Sequence, residues 1–340
     1  LKVAVDERAT SGYPSYQGDP AYRAACAAWM ERRFGVALDP DTEICATIGS
    51  KEAVFHAPEG FLDPGDLVLV PSPGYPPYKR GALFAEAEPW FYPLRADRGF
   101  LPDLDAIPAD VADRAKAIWV CYPNSPTGAV ADRAFYERLV EHADRHDWLI
   151  LSDEAYSEIY FGDEPPTSLI EVQKEGSLVF FSMSKRSAMT GWRIGWVAGD
   201  EALVAAFRKV KTNVDSGTPT FIQDAAVAAL EDEAHVVAFR DAYREKRDIL
   251  LAAFAACGLE DCTPAASLYI WQKVPDGMSG VDFAGRLLEP EIAAVCTPGE
   301  WISDLVADGS NPGAGYARFA LVPTREDTPP AADRIASLTV

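Results

Sequence analysis

Long apolar runs and positive charge are both scarce in this sequence of 340 residues. No apolar stretch approaches the roughly 20 residues that a transmembrane helix needs, and we expect no signal peptide. Only 31 Lys and Arg stand against 52 Asp and Glu, which gives a net charge of −21. A surface of that sign repels nucleic acids and anionic membranes, so neither is expected as a partner. We expect a cytoplasmic protein.

Residues that bind metals are few and scattered. Four histidines include one close pair, His142 and His146, four residues apart on a predicted helix. Charged residues lie between them, which favours a solvated helix face over a metal site. The six cysteines lack metal-ligand spacing and most have apolar neighbours, as is typical of buried free thiols: Cys26, Cys45, Cys121, Cys257, Cys262 and Cys296. The sequence therefore predicts no bound metal.

What the chain does contain indicates an α/β fold. Its length is too great for one small core, so two domains are expected. From Ile44 to Ala198 short apolar runs alternate with amphipathic stretches, a pattern that predicts a mainly parallel sheet flanked by helices. A long helix from Phe221 through Ala256 is predicted to link this sheet to a smaller α+β domain.

The most informative stretch runs from Ser177 to Ala198. Its apolar opening, SLVFF, predicts a buried strand, and Lys185 follows in a turn rich in hydroxyl groups. A lysine at a strand end in an apolar environment can lose its proton and attack a carbonyl. Nearby serines and Arg193 can bind a phosphate. An amine beside a phosphate site points to pyridoxal phosphate held as a Schiff base on Lys185, although Ser-x-Ser-Lys alone equally fits a surface lysine beside a hairpin.

The whole pattern, SMSKRSAMTGWRIGW, resembles the lysine motif of the fold-type I aminotransferases, the aspartate aminotransferase superfamily. The resemblance extends over nearly the whole chain. It implies that Ser182 and Arg193 hold the cofactor phosphate. It also implies a large domain over residues 14–245 with a mainly parallel seven-stranded sheet, and a small α+β domain from residues 1–13 and 246–340. An N-terminal segment is expected to precede Leu1, and the protein is expected to be a homodimer that shares its active sites.

Four further residues resemble the cofactor contacts of this family. Ser50 and Lys51 begin a helix after a strand, where backbone amides suit a phosphate; a plain helix cap predicts the same residues. Tyr75 takes the position of an aromatic residue that stacks on the pyridine ring. Tyr13, in a turn-rich segment, matches a tyrosine that reaches the phosphate of the neighbouring subunit, with a packed loop aromatic as the alternative.

The segment YPNSPTG resembles the Asn-Pro-Thr-Gly turn of the same family, with one departure. Ser125 stands where the family has the asparagine that donates to the 3-oxygen of the cofactor. Three groups are left to make that contact: the Ser125 hydroxyl, a shifted Asn124 or a water molecule.

Three more polar residues are expected at the site. Asp153 ends a buried strand, at the edge of an α/β sheet where ligands bind, and can keep the pyridine nitrogen protonated. Tyr156 follows and can donate to the 3-oxygen. In the last predicted strand, near residues 316–321, the family places an arginine that binds the substrate carboxylate. Arg318 takes that position here; alone, an arginine on an edge strand is the simpler interpretation.

Together these features predict a pyridoxal-phosphate-dependent aminotransferase that moves an amino group between an amino acid and a 2-oxo acid, with 2-oxoglutarate as the expected acceptor. The segments GSKEAVFH, NVDSG and TPGEW are similar to aminotransferases of the diaminopimelate branch of lysine biosynthesis, which act on N-succinyl-diaminopimelate or LL-diaminopimelate. Aspartate, aromatic or alanine transamination is the alternative within the class. A β-lyase of the same fold and a non-catalytic regulatory domain that binds the cofactor are the other hypotheses.

Overall fold

The computed structural model describes residues 1–338. Its first half contains, in chain order, α1 (Lys2–Asp6), α2 (Pro20–Phe34), β1 (Ile44–Thr47), α3 (Ser50–Phe61), β2 (Leu67–Ser72), α4 (Pro76–Phe84), β3 (Glu88–Pro93), α5 (Ala109–Arg114), β4 (Ala115–Cys121), α6 (Arg133–His146) and β5 (Leu149–Asp153). Its second half contains β6 (Ser177–Ser182), α7 (Met183–Arg186), β7 (Gly195–Gly199), α8 (Glu201–Val214), α9 (Thr220–Glu231), α10 (Ala234–Ala256), β8 (Tyr269–Lys273), α11 (Gly280–Leu287), β9 (Thr297–Pro298), β10 (Tyr316–Ala320) and α12 (Thr328–Ala336).

Seven strands form one sheet in the order β1-β7-β6-β5-β4-β2-β3. The pairs from β3 through β2, β4 and β5 to β6 are parallel, whereas β7 runs antiparallel to both β6 and β1. The α/β fold with a mainly parallel seven-stranded sheet is therefore confirmed. Parallel neighbours end at the same edge of the sheet, so the loops that follow β4, β5 and β6 lie side by side.

Both faces of this sheet are buried, which explains why its strands are continuous apolar runs. Within β6, Val179 and Phe181 belong to the core on one face, while Leu178 and Phe180 belong to the core on the other. The alternation follows from the two-residue period of a strand. A strand packed on both sides gives the residues after it a fixed starting point, and Lys185 is one of those residues.

A second, antiparallel sheet has the order β8-β10-β9 and its own apolar core. The helix α10 supplies Leu250 and Phe254 to this second core. The predicted boundary between residues 245 and 246 falls inside α10, and α1 packs against α9. The division of the chain into domains stays a prediction.

Two sequence-based expectations differ from the structure. The single helix predicted from Phe221 to Ala256 is two helices, because Asp232 takes an extended backbone conformation and its Oδ1 accepts a 2.9 Å hydrogen bond from the Ala234 amide, which starts α10. His142, expected on a solvated face of α6, is buried; its ring stacks at 6.3 Å from Trp148. Packing against Trp148 thus buries His142, although the residues beside it in sequence are charged.

Within the described residues no group of three or more His, Cys, Asp or Glu side chains is placed to hold a metal ion. All six cysteines are free, and Cys26, Cys45, Cys121 and Cys257 are buried. No helix in residues 1–338 combines the length and apolar character that crossing a membrane requires.

Candidate active site

A cavity of about 250 Å³ opens where β4, β5 and β6 end. It collects most of the residues predicted from the sequence, from segments far apart along the chain: Ser50, Lys51, Tyr75, Ser125, Asp153, Tyr156, Ser182, Lys185 and Arg193. Tyr78, Cys121, Ala155, Ser184, Thr190 and Tyr269 complete the lining. Tyr13, Asn124 and Arg318 lie outside the lining.

Lys185 is carried by α7, a single turn that directly continues β6. The Ser182 hydroxyl accepts a 3.2 Å hydrogen bond from the Ser184 amide and so caps this turn. The Lys185 side chain is partly buried in the cavity wall and makes no hydrogen bond or ion pair with any side chain that the structure describes. Its amine is therefore available to a ligand in the cavity.

The end of the cavity near α3 is built to bind an anion. Arg193 has a left-handed backbone conformation, and its guanidinium donates to the Thr190 carbonyl at 2.7 Å and to the Ile48 carbonyl at 3.4 Å. A Cβ at Gly49 would lie 2.5 Å from Arg193 Nη2, so a larger residue there would displace this guanidinium, and the positive φ of Gly49 also favours glycine. Ser50 begins the 12-residue helix α3, whose first amides are free of intrahelical partners. Lys51 lies exposed at the rim.

Asp153 forms the opposite end of the cavity. The Tyr78 hydroxyl donates to Asp153 Oδ2 at 2.8 Å, and the Ala155 amide donates to Oδ1 at 3.2 Å. Burial raises the pKa of Asp153 to about 6, while these hydrogen bonds and the charge of Lys185 act against that rise. Above that pH the side chain is a buried carboxylate, which favours a protonated nitrogen in front of it.

An aromatic wall holds Asp153 in place. The Tyr78 ring stacks on Trp119 with centroids 4.8 Å apart, and the Tyr75 ring contacts Tyr78 edge-on at 5.7 Å. Burial raises the pKa of Tyr75 to about 12, so its phenol is neutral. Tyr78 lines the cavity and was not among the site residues predicted from the sequence. Its position one helical turn beyond Tyr75 was the available signal.

The loop that carries Tyr75 is held by a segment that follows β9. The Gly74 amide donates to the Ile302 carbonyl at 3.1 Å. The Ser72 hydroxyl donates to the Asp304 carbonyl at 2.7 Å and accepts from the Asp304 amide at 2.9 Å. The segment that follows β9 thus contacts the end of β2 and the loop that leads to Tyr75.

Tyr156 and Tyr269 close the cavity from the side of the second sheet. Their hydroxyl oxygens lie 3.4 Å apart, and burial raises the pKa of Tyr156 well above its usual value. The Arg318 guanidinium lies 4.4 Å from the centroid of the Tyr269 ring, and its Nη2 is 3.4 Å from Thr297 Oγ1. The edge-strand interpretation of Arg318 is wrong, because β10 is the central strand of its sheet. Arg318 Nε is buried without a hydrogen-bond partner among the described residues.

The two neighbours in the loop after β4 have different environments. Asn124 Nδ2 donates to the Cys121 carbonyl at 3.1 Å, and Asn124 Oδ1 accepts from the Thr127 amide at 3.1 Å and the Thr127 hydroxyl at 2.8 Å. The Asn124 amide is therefore occupied by the loop itself. Ser125 lies in the cavity lining.

Tyr13 lies apart from the cavity of its own chain. Its side chain is 92% exposed, which rules out the packed-loop alternative within one copy of this chain. An aromatic side chain so exposed fits a contact made by a second molecule.

The arrangement suits one kind of ligand. An anion-binding corner, an amine and a buried carboxylate surround a space with aromatic walls. A flat, phosphorylated heteroaromatic aldehyde has a complementary group for each of them: phosphate for Arg193 and Ser50, a carbonyl for Lys185 and a ring nitrogen for Asp153.

Comparison with known proteins supports the same chemistry. A family model described as "Aminotransferase class I and II" matches residues 2–320. The LL-diaminopimelate aminotransferase of Aquifex aeolicus (strain VF5) is 45% identical over 340 residues, covering 99% of this chain and 86% of the relative.

Two solved structures have closely similar folds. The apo-BacF structure from Bacillus subtilis superposes with a TM-score of 0.92 at 34% identity, covering 98% of this chain and 88% of that one. The Thermus thermophilus protein named "probable N-succinyldiaminopimelate aminotransferase" superposes with a TM-score of 0.88 at 31% identity, covering 98% and 88%.

Proposed function

Since this chain belongs to the class I and II aminotransferases, we propose that it uses pyridoxal phosphate to transfer an amino group from LL-diaminopimelate to a 2-oxo acid, with 2-oxoglutarate as the expected acceptor. The observation that carries the chemistry is the convergence of Lys185, Asp153 and Arg193 on one cavity. The choice of substrate is supported by the Aquifex relative, which is 45% identical to this chain and is named LL-diaminopimelate aminotransferase.

The residues around the cavity fit this cofactor. Arg193, Ser182 and Ser50 would hold its phosphate, and Asp153 would face its ring nitrogen. Tyr75 would contact the ring, and Ser125 and Tyr156 would donate to the 3-oxygen: these side chains all line the cavity. When bound, pyridoxal phosphate supplies an electron-withdrawing ring that takes up the electrons left on the substrate carbon.

Lys185 has two roles in this proposal. Its Nζ would hold the cofactor covalently, and the same amine, once free, would take the proton from the substrate α-carbon. Both roles need an amine that is free of competing partners, as Nζ is within residues 1–338. The short helix α7 and its Ser182 cap keep the amine in the cavity wall.

Asp153 supplies a fixed negative charge. Since its pKa is about 6, the side chain is ionised at neutral pH even before a cationic ring nitrogen favours that form further. The Tyr78 hydrogen bond fixes the orientation of the carboxylate, so no reorganisation is needed when charge develops on the ligand.

Arg318 is proposed to bind the α-carboxylate of the substrate. Its guanidinium is oriented by the Tyr269 ring at 4.4 Å, and its buried Nε has no protein partner among the described residues. A carboxylate can accept two parallel hydrogen bonds from such a group. Because Tyr269 also lines the cavity, the carboxylate would be bound at the side of the cavity that faces the second sheet.

We also propose a homodimer in which Tyr13 of one copy contacts the phosphate end of the other. Mixing Tyr13→Ala copies with Lys185→Ala copies tests this arrangement. If Tyr13 acts across the interface, mixed dimers regain one intact site and activity returns. If Tyr13 acts within its own chain, mixing restores nothing. Localisation in the cytoplasm stays a prediction.

A donor screen tests the substrate. The protein, loaded with pyridoxal phosphate, is assayed for glutamate formation from 2-oxoglutarate with LL-diaminopimelate, N-succinyl-LL-diaminopimelate, aspartate, phenylalanine or alanine. We expect the highest kcat/KM with LL-diaminopimelate. A higher kcat/KM with the succinylated donor would instead indicate an N-succinyldiaminopimelate aminotransferase, the activity in the name of the Thermus protein. Turnover of cystathionine without any 2-oxo acid would indicate a β-lyase instead.

A further inference from the structure

The residue that follows Lys185 is anchored away from the cavity. The Arg186 side chain is only 3% exposed, and its Nη2 donates to Glu233 Oε1 at 2.6 Å. Its Nη1 donates to the Ala229 carbonyl at 2.8 Å and to the Ser187 hydroxyl at 3.0 Å. A charge buried to this degree needs a counter-ion, and Glu233 is the acidic partner that the described residues provide.

The Glu233 carboxylate makes further contacts with residues of α2. Its Oε1 also accepts a 3.1 Å hydrogen bond from Trp29 Nε1, and the Arg186 guanidinium lies 5.5 Å from the Trp29 ring centroid. Arg32 Nη2 lies 3.7 Å from the same oxygen. One carboxylate oxygen therefore holds the Arg186 head group against α2.

Through its position in the fold, Glu233 connects the Arg186 side chain to the start of α10. Glu233 lies in the break between α9 and α10, immediately before the helix that runs into the second core. A second contact spans the same gap, since His235 Nε2 lies 3.0 Å from Ser187 Oγ. Two contacts, Glu233 with Arg186 and His235 with Ser187, thus join the start of α10 to the turn that carries Lys185.

Helix geometry links the anchor to the amine. Consecutive residues of a helix project about 100° apart, because each turn contains about 3.6 residues. Arg186 points toward Trp29 while Lys185 lines the cavity. Fixing the Arg186 side chain therefore fixes the rotation of α7, and with it the direction of Lys185.

We propose that Glu233 is a positioning residue for Lys185 that acts through Arg186 and makes the orientation of the amine depend on where α10 begins. The inference rests on the proposed role of Lys185. Glu233 itself touches neither cofactor nor substrate, because it lies outside the cavity lining.

The test compares Glu233→Ala and Glu233→Gln with Glu231→Gln, which removes the same charge two residues earlier from an exposed position without an ion pair in residues 1–338. We expect Glu233→Ala to lower kcat at least ~10-fold with KM for the donor within ~2-fold, since misdirected reacting groups affect turnover more than binding. Glu233→Gln keeps an oxygen acceptor and should recover most of that loss, and Glu231→Gln should match wild type. Unchanged kcat in Glu233→Ala would overturn the proposal.

A double-mutant cycle with Arg186→Met checks the route. If Glu233 acts through Arg186, the double variant has the kcat of the Arg186 variant alone; losses that multiply would overturn the route. If Arg186→Met fails to fold, the cycle pairs Glu233→Ala with Arg186→Lys instead.

A second readout needs no turnover. Pyridoxal phosphate is added to apo-protein, samples are reduced with borohydride over time, and the Lys185 peptide is quantified by mass spectrometry. Trapping should be slower in Glu233→Ala while the final extent is equal, and an unchanged trapping rate would overturn the inference. Absence of trapping in wild type, or trapping in Lys185→Ala, would instead overturn the proposed role of Lys185 itself.

Discussion

The hydroxyl of Tyr78 donates a 2.8 Å hydrogen bond to Oδ2 of Asp153 at the buried end of the cavity. Two opposing effects therefore act on one carboxyl group: burial raises its pKa to about 6, and the hydrogen bond from Tyr78 lowers it. The balance decides how much of Asp153 is ionised near neutral pH.

Removing that bond should change the pH profile. In Tyr78→Phe the pKa of Asp153 rises further, because the carboxylate loses a donor while its burial remains. Hydrogen bonds to charged groups contribute about 1.5–3 kcal/mol, so the acidic limb of kcat/KM should move upward by roughly one to two pH units. The control is Tyr22→Phe, which removes a buried tyrosine hydroxyl bonded to the Gly195 carbonyl at 3.2 Å. If the acidic limb does not move, ionisation of Asp153 does not cause it.

Lys185→Ala should abolish both the cofactor linkage and turnover. The variant loses the amine that holds the cofactor and the group that takes the substrate proton, so both effects appear together. Visible absorbance before and after borohydride reduction measures the linkage, and glutamate formation measures turnover. Lys209→Ala, at an exposed position of α8, is the matched control. A borohydride-trapped lysine adduct in the Lys185 variant would contradict the assignment.

Arg318→Lys should weaken substrate binding but leave cofactor retention normal. Lysine cannot stack flat on Tyr269 or present two parallel donors to a carboxylate. We expect KM to rise about 10-fold or more for amino donors and 2-oxo acids alike, on the scale of one charged hydrogen bond. Arg325→Lys, whose exposed side chain pairs with Glu245, is the control. If the Arg318 and Arg325 variants have the same KM values, Arg318 does not bind the substrate.

Ser125→Ala tests the departure from the family's asparagine. A hydrogen bond to an ionised 3-oxygen favours the deprotonated chromophore, so its loss should raise the spectral pKa of the bound cofactor by roughly one pH unit. Asn124→Ala should instead reduce stability, because its amide makes three hydrogen bonds within the loop. Titration of the visible band in both variants decides between the serine and its alternatives: an unmoved value in Ser125→Ala excludes the hydroxyl.

Glu154, beside Asp153, predicts a pH dependence of stability. Burial raises its pKa to about 7, against hydrogen bonds that include one from the Leu169 amide to Oε1 at 3.0 Å. Between about pH 4.5 and pH 7 the folded state therefore binds more protons than the unfolded state, so the free energy of unfolding falls as pH rises. Glu154→Gln should gain on the order of 2–3 kcal/mol over wild type at pH 8 and almost nothing at pH 5. Urea unfolding of the apo-protein at both pH values measures this; equal gains at both would contradict it.

The parts of the site that follow from local sequence were predictable. Ser182, Lys185 and Arg193 lie within one strand-turn-strand segment, so one motif suffices to bring them together. Asp153 followed from the rule that parallel strands end at the ligand-binding edge of a sheet. These residues do line one cavity, although their proposed roles remain to be tested.

Other features depend on packing between distant segments. Tyr269 comes from the second sheet and meets Tyr156 only because the two units pack together. The break before α10 was missed because helix propensity alone continues through residues 232 and 233, while the Asp232 side chain caps a new helix. The burial of His142 likewise depends on Trp148, and periodicity did not reveal that contact.

The Gly74 amide, one residue before Tyr75, donates to the Ile302 carbonyl and so reaches beyond its own sheet. Backbone amides exchange with solvent hydrogen only when their bonds open. Exchange at Gly74 therefore reports the opening of a segment more than two hundred residues away along the chain. A single labelled position beside the cavity thus monitors how often the backbone contact between Gly74 and Ile302 opens.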